Sequence, residues 1–115
     1  MPQREDSVRL RHMLDAARKA AEFIRHRSRG DLDRDEQLAF SLTHLMEIIG
    51  EAAGRVSAES QKVYPKIPWP QIVGMRNRLI HAYFDIDLDE IWRTVQEDLP
   101  PLIAELEKIL KAENP

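Results

Sequence analysis

The spacing of apolar residues is what most limits the folds open to this chain. Leu10, Met13, Leu14, Ala17, Ala21 and Ile24 recur at three- and four-residue steps, which puts them on one face of a helix. Leu38, Leu42, Leu45, Met46, Ile49, Ala52, Ala53 and Val56 repeat that pattern. Leu88, Ile91, Trp92, Val95, Leu99, Leu102, Leu106, Ile109 and Leu110 repeat it once more. No stretch reads as a strand. Only 4 glycines and 6% aromatic residues among 115 also argue against an all-β sandwich.

Local signals set the expected boundaries. Asp6 or Ser7 is suited to cap the first helix. That helix should stop before Ser28-Arg29-Gly30, with Gly30 in the left-handed cap conformation. Asp31, Asp33 and Asp35 announce the second helix, since carboxylates suit the positive end of the helix dipole. Ser57 to Val63 reads as a short helix. Three prolines within Tyr64-Pro65-Lys66-Ile67-Pro68-Trp69-Pro70 impose an extended path. Pro70 then suits the first turn of a third main helix, running to about Ala82. The last apolar stripe passes straight through Pro100-Pro101, giving one kinked helix or two nearly collinear ones. The expected architecture is an all-α, up-and-down bundle of four main helices plus a short one, as a single domain over residues 1–115.

Composition removes several classes of function. With no cysteine there are no disulfides, thiol nucleophiles or zinc-thiolate sites, which suits a reducing, cytoplasmic setting. No apolar run approaches the ~20 residues that span a bilayer, and no signal-peptide core follows the start, so no membrane role is expected. So few glycines leave no phosphate-cradling loop. No Glu-x-x-His pair supports a metal-dependent bundle enzyme, and no cofactor or metal is expected. The net charge of −3 conceals an asymmetry. Residues 1–30 carry eight Lys and Arg against four Asp and Glu, while residues 31–115 carry nine against sixteen. The basic first segment suits either a solvated helix face or a polyanionic partner.

Two segments break the amphipathic pattern. Glu47, Gly50, Glu51 and Gly54 fall away from the second stripe, where two glycines four apart suit close approach by another backbone. In Gly74-Met75-Arg76-Asn77-Arg78-Leu79-Ile80-His81-Ala82-Tyr83-Phe84, Arg76 lies four residues from both Ile72 and Ile80. It therefore falls in the middle of an apolar face formed by Ile72, Val73, Leu79, Ile80 and Tyr83. A charge placed there needs a carboxylate, with Glu47 or Glu51 as the candidates for a buried pair, or else an anionic ligand. His81 follows five residues later, about 140° around a straight helix, so the two share a face only if the helix distorts or an interface joins them. His81 is one turn beyond Asn77 and Arg78, either of which could hold its ring. His12, His26 and His44 are weaker candidates, lying in the basic segment or off the second stripe.

The run Arg76-Asn77-x-x-x-His81-x-Tyr83 resembles the Arg-x4-His-x-Tyr signature of HepT-like toxins, within the HEPN superfamily of helical ribonucleases. Ile67-Pro68-Trp69 with Ile72-Val73-Gly74-Met75, Ile49-Gly50-Glu51-Ala52, and Val95-x-Glu97-Asp98-Leu99-Pro100 are similar to that family as well. The resemblance covers essentially the whole chain and implies a HEPN-like fold. It implies the toxin half of a prokaryotic toxin–antitoxin pair, a metal-independent RNase acting on single-stranded RNA or tRNA as a homodimer. It further implies an MntA-like nucleotidyltransferase antitoxin that can transfer AMP onto Tyr83.

The residue chemistry is compatible with that expectation. Metal-free RNA cleavage needs proton transfer near neutral pH, which suits His81. It also needs positive charge on the phosphorane, which suits the guanidinium of Arg76. Asn77, Arg78 and Glu51 are candidate supporting residues: Asn77 could orient His81 or bind a phosphate oxygen, and Arg78 could contact RNA backbone. A nucleotide on Tyr83, two residues beyond His81, would fill the site and repel RNA. One protomer offers a single obvious acid–base group, whereas a symmetric dimer offers two. The rival reading is a non-catalytic module that binds a nucleotide or a partner, with Arg76 holding an anion and His81 structural.

Overall fold

The computed structural model describes residues 4–82 and 85–113. In chain order the elements are α1 (Arg4–Phe23), α2 (Asp31–Arg34), α3 (Glu36–Gly54), α4 (Ala58–Val63), α5 (Trp69–Val73) and α6 (Met75–Leu79). Two short strands follow, β1 (Ile80–Ala82) and β2 (Asp85–Ile86), then α7 (Leu88–Arg93), a π-turn over Thr94–Asp98, and α8 (Leu99–Glu113).

The fold is all-α, and its three apolar stripes become one core. α1 packs along both α3 and α8. Its start meets the end of α8, where Ser7 donates to Glu113, and Arg18 meets Glu107 one to two turns earlier, so the two helices run antiparallel. Leu10, Met13 and Leu14 of α1, Leu42, Met46 and Ile49 of α3, and Leu99 and Leu106 of α8 are each at most 1% exposed. Burial of side chains this size stabilises by about 1.5–3 kcal/mol apiece, so this contact set dominates the stability of the bundle.

The caps follow the acidic and hydroxyl signals, with one exchange of partners. Asp35 caps α3 by accepting from Leu38 N at 3.1 Å. Ser57 caps α4 through Ser60 N, and Asp87 caps α7 through Glu90 N. Asp6 does not cap α1, which already begins at Arg4. Its buried carboxylate instead accepts hydrogen bonds from Ser57 N, Ser57 Oγ and Ser60 Oγ, tying the first helix to the start of α4. Gly30 is right-handed at φ −62°, and the left-handed residue after α1 is His26 at φ 61°. Histidine tolerates that region better than most side chains, and α1 has already ended three residues earlier.

The third main helix is not continuous. The proline-rich loop is closed by Trp69 Nε1 donating to Tyr64 O at 3.0 Å, and Pro70 lies in the first turn of α5, where it costs no hydrogen bond. α5 is pinned against α3, because a Cβ on Gly50 would lie only 3.2 Å from Ile72 O. The backbone that Gly50 admits is thus the chain's own, whereas Gly54 meets only the Val73 side chain. The helix then breaks at Gly74, restarts as α6 and ends at Leu79. Ile80 turns to φ −124° and ψ 106°, pairing with Ile86 in an antiparallel hairpin, and Leu79 O accepts from Asp87 N at 2.8 Å. The expected run to Ala82 is therefore two single-turn helices and a strand. Pairing with β2 outweighs the helical period, which three residues are too few to enforce.

The last stripe is one helical run, with its adjustment just before Pro100-Pro101. Proline rings clash with carbonyls four residues back and supply no N–H. The chain widens by one residue there, and Leu99 N bonds Thr94 O five residues earlier.

Candidate active site

Arg76 owes its position to the break at Gly74. With α6 restarting there, Met75 and Leu79, four residues apart, turn inward at 1% exposure each. Arg76 is rotated out, its side chain 57% exposed. Its Nε donates to Glu47 Oε2 on α3 at 3.3 Å. The expected partner is correct and the expected burial is not: this is a surface pair, and Glu51 is not part of it. Nε is the donor that Glu47 takes, which leaves the terminal Nη groups for an anion.

His81 lies on β1, beyond the end of the helix, with its side chain 55% exposed. Its Nδ1 is 3.7 Å from Asp85 Oδ2 on β2. The helix ends at Leu79, so His81 sits on a strand and shares no helical face with Arg76. Asp85 was not among the sequence candidates. Its position in the sequence gives no sign of facing a histidine. The signal that could have found it is the pair of β-branched residues Ile80 and Ile86, which the two strands place opposite one another.

The supporting residues are placed differently from one another. Asn77 is exposed on α6, and no hydrogen bond joins it to His81 among the described residues. Arg78 does not hold the His81 ring, since its Nη1 donates to Gln71 O at 2.9 Å and braces the end of α5. Glu51 is engaged by Arg55 one turn on, at 3.0 Å. Tyr83 lies outside the described residues. His12 and His44 are exposed on α1 and α3, and His26 is in the turn after α1. Among the described residues, no three His, Cys, Asp or Glu side chains gather into a group able to hold a metal ion. No helix among them is long and apolar enough to cross a membrane.

The surface around α6 and β1 thus presents a guanidinium with spare donors and an imidazole beside a carboxylate. The first can neutralise a phosphate, and the second can move a proton.

Comparison with known proteins bears on this arrangement. A family described as "Ribonuclease HepT-like" matches residues 13–109. A protein of Thermococcus cleftensis named as a probable ribonuclease HepT is 36% identical over 102 residues, covering 89% of this chain and 93% of its own. A protein of Methanocaldococcus jannaschii named as a candidate RNase is 32% identical over 107 residues, covering 93% and 98%. One of Caldanaerobacter subterraneus, named likewise, is 34% identical over 105 residues, covering 91% and 94%. No solved structure matches the chain.

Proposed function

The chain belongs to the HepT-like ribonuclease family, and from that premise we propose that it is the RNase toxin of a toxin–antitoxin pair, cutting RNA without a metal. Arg76 binds the scissile phosphate through its Nη groups and stabilises the charge that builds on the phosphorane. His81 removes the proton of the 2′-hydroxyl, whose oxygen attacks phosphorus and expels the 5′-oxygen, leaving a cyclic phosphate. Asp85, beside Nδ1, leaves Nε2 as the nitrogen for that transfer. The departing oxygen needs a proton, which His81 of a second copy supplies in a homodimer. Phe40, 55% exposed, lies seven residues from Glu47 and so on the same face of α3. It offers apolar surface for such a dimer next to the site.

The observation that carries this reading is the exposed Arg76–Glu47 pair followed by His81 beside Asp85, within a chain of this family. The test compares wild type with His81→Ala on single-stranded RNA and tRNA in the presence of EDTA. Cleavage by wild type, lost in a variant with an unchanged melting temperature, is the expected result. A His81→Ala protein that cuts as fast as wild type removes the mechanism.

Neutralisation falls to an MntA-like nucleotidyltransferase. It transfers AMP from ATP so that the Tyr83 oxygen bonds to the α-phosphorus and pyrophosphate leaves. Intact mass after co-expression, with peptide mapping of Tyr83, reads this step directly. One or more added AMP units together with lost RNase activity is the expected outcome. An unmodified protein that remains inhibited points instead to blockade by complex formation alone.

A further inference from the structure

On the side of α6 away from Arg76, a cleft of about 440 Å³ opens between the Lys66–Pro68 loop with α5 and α6 on one side and the 97–105 stretch on the other. Its floor is apolar, made of Ile67, Ile72, Met75 and Leu102, all buried. Its walls carry opposite charge. Lys66 and Arg78 stand on the loop and α6 side, and Glu97 and Glu105 on the other. Arg93 and Asp98, also in the lining, satisfy one another at 3.1 Å and add little net charge.

A ligand that fits these walls is flat and apolar in the middle, anionic at one end, and rich in N–H donors at the other. A nucleotide has all three properties. Among the bases, guanine alone presents two adjacent donors, N1–H and N2–H, able to meet one carboxylate together. Bases held out of a stack are bound in this way, against an apolar or guanidinium surface with their Watson–Crick edges read by side chains. Residues 76 and 78 are two apart, about 200° around a helix, so α6 presents Arg76 to one side and Arg78 to the cleft.

We propose that this cleft is a base-recognition subsite for a guanine nucleotide of the RNA, with Glu97 and Glu105 receiving the base edge and Lys66 and Arg78 the phosphate. The proposal rests on the RNase reading above for its substrate. It makes the enzyme selective for the base near the cut.

Two measurements test it. In the first, methyl NMR signals of Met75 and Leu102 are followed while GMP, AMP, CMP or UMP is added to wild type, Glu97→Gln/Glu105→Gln and His81→Ala. GMP should shift both signals at concentrations at least tenfold below the other nucleotides, the double variant should lose that selectivity, and His81→Ala should keep it. In the second, cleavage is compared on single-stranded RNAs with one guanosine in a uridine background and on the all-uridine strand. Wild type should cut beside the guanosine, and the double variant should cut both strands alike. Equal response to all four nucleotides, or GMP selectivity that survives in the double variant, overturns the site. GMP binding without positional preference in an active enzyme overturns its role as a substrate subsite and assigns it to a free nucleotide. GMP binding by a wild type that cuts no RNA leaves the cleft standing and removes the RNase reading.

Discussion

Asp6, in the first turns of α1, holds Ser57 from 51 residues away, accepting its backbone N–H at 2.9 Å and its hydroxyl at 2.6 Å. With Ser60 Oγ also donating at 2.6 Å, one buried carboxylate organises the whole entry to α4. Burial by itself would raise the pKa of Asp6. The hydrogen bonds from Ser57 and Ser60, aided by the charge of Arg9, outweigh it and hold the group below its ordinary 3.8.

Because the folded-state pKa is lowered, the stability that Asp6 contributes is complete above 3.8 and is lost as pH falls through the folded value. Asp6→Ala should cost about 2–3 kcal/mol at neutral pH, the scale of hydrogen bonds to a charged acceptor. That corresponds to a fall of roughly 10 °C in melting temperature for a domain of this size. Asp6→Asn, which keeps the shape, should lie between the two at pH 7 and approach wild type near pH 2. Urea melts at both pH values check this, and a wild-type advantage that grows on acidification would contradict it.

Arg76 separates structure from chemistry. Its pair with Glu47 is more than half exposed on the arginine side, and surface pairs of this kind contribute about 0–1 kcal/mol. Arg76→Ala should therefore shift the melting temperature by no more than a few degrees. Loss of a donor aimed at developing charge typically costs about 10²–10³ in kcat, and that is the expected loss in RNA cleavage. Arg76→Lys should recover only part of it, since the three donors of an ammonium share one nitrogen and lack the planar fork that meets Glu47 on one edge and phosphate on another. A variant with full activity, or one that is inactive because it is unfolded, would count against a catalytic role.

Gly50 and Gly54, which look equivalent in sequence, should behave in opposite ways. An added Cβ at Gly50 would press on Ile72 O at 3.2 Å, and backbone carbonyls yield little. Gly50→Ala should cost about 1–3 kcal/mol, as overpacking does, and should also disturb α5 and the start of α6. At Gly54 the nearest atom is Val73 Cγ1 at 3.8 Å, an ordinary contact. Gly54→Ala should be neutral or stabilise by up to about 1 kcal/mol through helix propensity. Thermal melts of the two variants side by side decide the matter.

The same contrast explains what could be read in advance. The long stripes of α1, α3 and the 88–110 run were legible because burial at helical spacing is a local property repeated over many turns. Asp35 and Ser57 were legible because each cap needs only its own next three residues. Asp6 was misplaced because its partner, Ser57, is 51 residues distant. Arg76 looked central on an apolar face only so long as the helix was taken to be unbroken from Pro70 to Ala82. The break at Gly74 depends on α5 lying against Gly50, and the strand at Ile80 depends on Ile86, so neither could be found from the segment alone. The pairing of Arg76 with Glu47 was legible as one of two options, whereas Asp85 as a neighbour of His81 came from the hairpin.

Arg93 bridges the widened turn. It reaches back to Glu90 at 3.0 Å and forward to Asp98 at 3.1 Å, five residues on, the repeat of a π-turn and not of an α-helix. Its hydrogen bonds to Glu90 and then Asp98 raise its pKa further above an already high value, so it is charged throughout the working range. All three side chains are about a third or more exposed, which calls for a small figure: Arg93→Met should cost about 1 kcal/mol in dilute buffer. The difference from wild type should shrink markedly in 1 M NaCl, where the screening length falls to about 3 Å. Melting curves at low and high salt measure it. If the difference persists undiminished in salt, Arg93 supports the π-turn by packing its stem along the helix and not by its charge.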